Sequence, residues 1–159
     1  MVSKLGSRAV SDAVSYTPSH LGVCVTDLDR ALRFYRDGLG FAPVARYDVG
    51  NEVAHTLEVE GDVRLVSQLI AKEGMVVELL YYASPEPRGE PSRRRNQLGL
   101  THLSFLVEDV DAAAARLVEH GGTLLTGTRA SLPSETGSTE LVFLADPDGT
   151  RIELMRLDG

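Results

Sequence analysis

The sequence predicts an α+β fold: two tandem βαβββ modules whose strands form a cupped, mostly antiparallel sheet with helices outside. Three observations predict it. The stretch Ser19-His20-Leu21-Gly22-Val23-Cys24-Val25-Thr26-Asp27-Leu28-Asp29 is echoed by Thr101-His102-Leu103-Ser104-Phe105-Leu106-Val107-Glu108-Asp109-Val110-Asp111. Each opening runs into a helical pattern that stops at glycine, Gly38 and Gly40 in one case, Gly121 and Gly122 in the other. Each unit then finishes on a glutamate inside an apolar strand, Val76-Val77-Glu78-Leu79-Leu80 and Arg151-Ile152-Glu153-Leu154-Met155.

The elements follow in order. Leu21, Val23 and Val25 alternate with His20, Gly22 and Cys24, the period-2 pattern of a strand with two unlike faces. Asp27 or Thr26 can cap a helix whose apolar residues fall at Leu28, Ala31, Leu32, Tyr35 and Leu39, with Asp29, Arg30, Arg33 and Arg36 outside. Val44 to Val49, Val53 to Glu60 and Met75 to Tyr82 read as three strands between Gly-containing turns, while Val63 to Ile70 fits either a hairpin extension or a short loop. The second unit repeats the plan. Leu103 to Val107 reads as a strand, and Val110, Ala113, Ala114, Leu117 and Val118 as a helical stripe. Thr123 to Arg129, Leu141 to Leu144 and Arg151 to Leu157 read as strands, the last two joined by the turn Asp146-Pro147-Asp148-Gly149. This divides the chain into a flexible tail over 1–15, a first module over 16–83, a linker over 84–98 and a second module over 99–159. Such a unit cannot cover both faces of its own sheet, so two of them should close a curved sheet with a concave inner face.

Composition narrows the function. Sixteen basic against twenty-three acidic residues give a net charge of −7, which argues against nucleic acid as a partner. No apolar run approaches the ~18 residues of a membrane span. The polar N-terminus does not read as a secretory signal. The single cysteine, Cys24, fits a reducing cytoplasm and excludes an internal disulfide framework.

Two histidines and two glutamates at matching places form a metal-ligand inventory. A lone strand histidine is usually a satisfied structural residue. A glutamate flanked by Val and Leu, or by Ile and Leu, is different, because a buried carboxylate without a partner costs several kcal/mol. If Leu21, Val23, Val77 and Leu79 pack under the helices, His20 and Glu78 point into the concavity, and the same alternation turns His102 and Glu153 inward. Two imidazoles and two carboxylates neutralise a divalent ion and leave two of six positions open, which suits Ni, Co, Mn, Zn or Fe in a catalytic role.

These features resemble the vicinal oxygen chelate superfamily, which includes glyoxalase I, methylmalonyl-CoA epimerase, extradiol dioxygenases and bleomycin-binding proteins. The resemblance runs from about Tyr16 to Leu157, with its most specific pieces at His20 to Gly40, Val76 to Tyr81, Gly99 to Gly122 and Leu144 to Leu154. It implies that His20, Glu78, His102 and Glu153 hold the metal, in the set most similar to bacterial glyoxalase I. It further implies an isomerase or lyase that abstracts a proton alpha to a carbonyl or thioester through a metal-stabilised enolate. Glu153 is then the first choice for the base and Glu78 the second. His55, at about the place of a second catalytic acid in the epimerase, is a candidate proton donor, with a hydrogen-bonded sheet histidine as the plainer reading. Glyoxalase I carries Arg and Asn, both serving glutathione, four residues after its first and second ligands; Cys24 and Tyr82 stand there here. The inward-facing Cys24, Leu80, Tyr82, Ser104, Leu106 and Met155 line a pocket suited to another thiol adduct, an acyl-thioester or a hydrophobic ketone. The alternatives are a non-catalytic drug- or metabolite-binding protein and a dioxygenase, the latter opposed by the fourth ligand Glu78. A homodimer is expected, and the sequence leaves open whether the four ligands come from one chain or two. Arg88, Arg93, Arg94 and Arg95 read as a solvated linker, with a phosphate contact as the sharper alternative. His120 reads as a favourable charge at a helix end, and Ser131 to Ser138 as a mobile rim over the pocket.

Overall fold

The computed structural model describes residues 15–134 and 137–158, so the expected tail over 1–15 lies, Ser15 aside, outside the described residues. Two βαβββ units are present. The first comprises β1 (Leu21–Val25), α1 (Leu28–Leu32) continued by a π-helical stretch (Arg33–Gly38), β2 (Ala42–Val49), β3 (Arg64–Lys72) and β4 (Met75–Ser84). The second comprises β5 (Leu103–Leu106), α2 (Val110–Glu119), β6 (Thr123–Ser134), β7 (Gly137–Ala145) and β8 (Arg151–Asp158). Each unit makes its own four-stranded sheet, in the orders β1-β4-β3-β2 and β5-β8-β7-β6. In each, the first strand pairs parallel with the last and the other pairs are antiparallel. The chain therefore carries two open sheets rather than one closed curve.

The helices form where the sequence places their caps. The Asp27 carboxylate accepts from the Arg30 amide at 2.8 Å and the Asp109 carboxylate from the Ala112 amide at 2.9 Å, each satisfying an orphan donor of the first turn. The π-helical stretch turns the adjacent Phe34 and Tyr35 both inward, fully buried, which a regular 3.6-residue period does not anticipate. α2 closes on His120, whose Nδ1 lies 2.8 Å from the Arg116 carbonyl oxygen. Beyond it Gly121 takes a φ of +96°. A Cβ at Gly122 would stand 2.7 Å from Phe34, so glycine is required there for the two helices to meet.

Three expectations need correction. Residues Val53 to Glu60 are not a strand. A 3-10 turn (Asn51–Val53) opens a run of local turns, with Leu57 N bonded to Val53 O and Val59 N to Ala54 O. The Glu52 carboxylate takes the Gly50 amide, and the Asn51 side chain takes the Val63 amide and reaches Asp62, so local side-chain bonds out-compete a sheet ladder. The third strand is β3, at the piece the sequence left ambiguous, and His55 consequently sits in an exposed turn. Leu21, expected under the helices, begins its strand 38% exposed. Finally, Ser131 to Ser138 is no loose rim: Leu132 pairs with Thr139 and Pro133 with Ser138 as a continuation of β6 and β7, while the tip at 135–136 lies outside the described residues.

One core serves both units. Val23, Val25, Phe34, Tyr35, Ile70, Val77 and Leu79 of the first pack with Leu103, Leu117, Val142, Leu144, Ile152 and Leu154 of the second. An edge-to-face aromatic chain, Phe34–Tyr35–Phe41–Phe105, crosses the seam with centroid spacings of 5.2, 6.3 and 6.1 Å. Polar bonds fix the same seam. The buried Asp146 accepts from Tyr35 Oη at 2.8 Å and from the Asp148 and Thr150 amides. Asp148 in turn takes the Thr26 amide and hydroxyl and the Arg30 guanidinium, while Arg116 donates to the carbonyls of Asp37 and Gly38. The helices thus cover one face of each sheet and leave the other open. Among the described residues no helix is long and apolar enough to cross a membrane.

Candidate metal centre

Strand alternation decides which side chains reach the open faces. In β1 and β4, Val23, Val25, Val77 and Leu79 are buried against the helices, which turns Gly22, Cys24, Glu78, Leu80 and Tyr82 the other way. In β5 and β8, Leu103, Ile152 and Leu154 are buried, which turns Ser104, Leu106, Glu153 and Met155 outward. All six expected pocket residues therefore share open faces with the two glutamates, three on each sheet.

Each glutamate meets its own module's histidine. His20 Nε2 lies 3.1 Å from Glu78 Oε2, and His102 Nε2 lies 3.5 Å from Glu153 Oε2. The rear nitrogens are held alike: His20 Nδ1 is hydrogen-bonded to the Ser19 hydroxyl at 2.9 Å, and His102 Nδ1 to the Thr101 hydroxyl at 2.8 Å. A hydroxyl behind Nδ1 fixes the ring so that Nε2 faces the carboxylate, the arrangement that orients an imidazole for a metal. A serine hydroxyl donates to each carboxylate as well, Ser67 to Glu78 Oε1 and Ser104 to Glu153 Oε2, the latter at 2.7 Å. Both glutamate side chains are mostly buried, 19% and 13% exposed, so each is a desolvated acceptor matched to a cation.

The two pairs do not come together within the chain. Among the described residues no three His, Cys, Asp or Glu side chains are grouped to hold an ion. The linker runs between the halves: a groove of about 400 Å³ is lined by Cys24 on one side, His102 on the other and Pro87 to Ser92 along it. The donor chemistry fits a divalent ion with nitrogen and oxygen ligands, and each pair supplies two of them.

The surroundings of the pairs differ. Around Glu78, burial, then Cys24 and Glu78 itself, push the Tyr82 hydroxyl up. Burial and the Asp148 carboxylate push the Cys24 thiol up, which disfavours the thiolate. Cys24 and Tyr82 open onto a cavity of about 460 Å³ lined also by Glu58, Val59, Pro85 and Arg88. At Glu153, Phe143 is the directly opposite residue of β7, and its ring stands edge-on to His102 at 5.3 Å. His55 is exposed in its turn. Sequence reasoning missed Ser67, Phe143 and the hydroxyls of Ser19 and Thr101. The last two were legible, since a hydroxyl residue precedes the histidine in both copies.

Comparison with known proteins identifies the family. Residues 17–154 match the Glyoxalase/Bleomycin resistance protein/Dioxygenase superfamily. The chain is 34% identical over 135 residues to the uncharacterized protein YaeR of Escherichia coli, covering 85% of this chain and 92% of that one. It is 28% identical to a lactoylglutathione lyase of Haemophilus influenzae, covering 86% and 89%, and 27% identical to a 2-epi-5-epi-valiolone epimerase of Actinomyces, covering 94% and 83%. Its fold superposes on a glyoxalase family protein from Bacillus cereus with a TM-score of 0.77, at 23% identity over 95% of this chain and all of that one. The chain belongs to the Glyoxalase/Bleomycin resistance protein/Dioxygenase superfamily.

Proposed function

We propose that this protein is a metal-dependent lyase or isomerase that moves a proton alpha to a carbonyl or thioester, with its metal held between His20 and Glu78 of one copy and His102 and Glu153 of a second. The observation that carries the reading is the matched pair of His–Glu contacts, each with a hydroxyl behind Nδ1, on two open faces of one chain. Each pair alone offers two ligands, too few for a catalytic site. Apolar residues beside the pairs support a second copy as the cover: Leu106 is 68% exposed and Tyr47 56%.

A divalent ion bound there supplies positive charge to the substrate's carbonyl oxygen. The chain's own residues do the rest. Glu153 is the better placed base, because His102 and Ser104 both engage Oε2 and Oε1 has no hydrogen-bond partner among the described residues. Glu78 has both oxygens committed, Oε1 to Ser67 and Oε2 to His20, which suits a holding role. The free Oε1 takes the proton and returns it, while Ser104 keeps the carboxylate oriented. Cys24, Leu80, Tyr82, Leu106 and Met155 give the pocket a largely apolar wall that excludes water from a thioester or ketone. The absence of a carboxylate-binding Arg at Cys24 argues against glutathione. The setting is cytoplasmic, consistent with one unpaired thiol.

Metal analysis of the purified dimer and deuterium uptake from solvent into candidate thioesters and ketones test this. A stoichiometric ion with exchange at the alpha carbon is expected. Ligand binding without metal or exchange overturns it in favour of a binding protein.

A further inference from the structure

The linker places one guanidinium, that of Arg95, near the second His–Glu pair, with no counter-ion among the described residues. Arg95 Cζ stands 5.4 Å from the centroid of the Phe143 ring, which is itself edge-on to His102 and directly opposite Glu153 across the β7–β8 ladder. Its Nη2 donates to the Ser92 carbonyl at 2.6 Å. Its Nε is buried and without a partner, and among the described residues no carboxylate forms an ion pair with it. Burial and the neighbouring Arg151 work against its charge, and only Glu153 supports it. The linker's other arginines differ: Arg93 is exposed and already paired with Glu90. Of the linker's other arginines, Arg88 lines the Cys24–Tyr82 cavity of the first half, so Arg95 is the one placed at the second pair.

We propose that Arg95 is a substrate-recognition residue, and that the substrate of the second half-site carries, at a distance from its metal-facing oxygens, a further anionic substituent, a carboxylate or a phosphate. The guanidinium is stacked on Phe143 and tethered by Ser92, so its fork is oriented before an anion arrives. This gives a negatively charged protein a local cationic spot at the point where its substrate is handled.

The inference rests on the metal-site reading, and the test separates the two. Calorimetric titration of the metal-loaded dimer would compare 2-oxo diacids with monoacids of equal length, 2-oxoglutarate against 2-oxopentanoate and 2-oxoadipate against 2-oxohexanoate. Phosphono analogues of the diacids separate a phosphate from a carboxylate preference. At least one dianion should bind roughly tenfold or more tightly than its monoacid. Arg95→Met should reduce that ratio to about one with metal content and thermal midpoint unchanged, Arg95→Lys should keep part of it, and Arg93→Met all of it. Metal binding without any dianion preference, or a preference that survives Arg95→Met, overturns the inference alone. A protein that binds no metal overturns the reading and the inference together.

Discussion

The two modules share one plan and the same His–Glu contact, yet the residues placed around Glu78 and Glu153 are exchanged. In the first module Gly22 lies opposite the glutamate on the first strand, and the hydroxyl comes from β3, as Ser67. In the second, Ser104 occupies the Gly22 place and the hydroxyl comes from β5. On the other flank Leu69 faces Glu78, whereas Phe143 faces Glu153 and carries Arg95 on its ring. The consequence is chemical. One carboxylate is bonded at both oxygens, and the other keeps an oxygen for work.

The difference can be broken experimentally. The largest effect is expected from Glu153→Gln, which removes the base and should lower kcat by about 10²–10⁴-fold, more than Glu78→Gln does when both are assayed at saturating metal. Equal losses would mean that the two carboxylates are interchangeable. Asp146→Ala is next, on stability. It strands the buried Tyr35 hydroxyl and two backbone amides, and urea denaturation should show a loss of about 3 kcal/mol. Removing the hydroxyls behind the histidines comes third: Ser19→Ala and Thr101→Val should each weaken metal affinity by roughly 10-fold, read by competition with a chelator. The smallest effect is a pH slope. Burial, opposed by the Tyr35 hydroxyl and two amides, raises the Asp146 carboxyl. Stability from its neutral form is therefore present at low pH and lost as pH rises through the raised folded value. Asp146→Asn lacks this loss, so its stability relative to wild type should climb as pH rises above the ordinary carboxylate range.

Much of this was legible in the sequence, for reasons visible in particular residues. Period-2 alternation placed Glu78 and Glu153 on open faces because Val77, Leu79, Ile152 and Leu154 have one apolar core to fill. The cap at Asp27 and the stop at Gly121-Gly122 are local chemistry and were readable as such. Misreadings came where local and long-range bonds compete. Val53 to Glu60 has strand-like composition, but Asn51 and Glu52 tie its start into turns, and β3 fell to the following segment. Arg95 and Phe143 were illegible, since only the path of the linker brings residue 95 over a ring from β7. The single closed sheet was an over-reading of the repeat. Arg116 bonds the second helix to the end of the first, Tyr35 bonds the first helix to the β7–β8 turn, and the His–Glu faces lie on the opposite side of each sheet.

The central claim, that two copies share each metal, is tested most directly by mixing two inactive variants. One carries His20→Ala and Glu78→Ala, the other His102→Ala and Glu153→Ala, and subunits are exchanged before metal analysis. A shared site predicts recovery of tightly bound metal to about a quarter of the wild-type content, because half of randomly mixed dimers regain one of two sites. A site completed within one chain predicts no recovery after exchange, and that result would contradict the account.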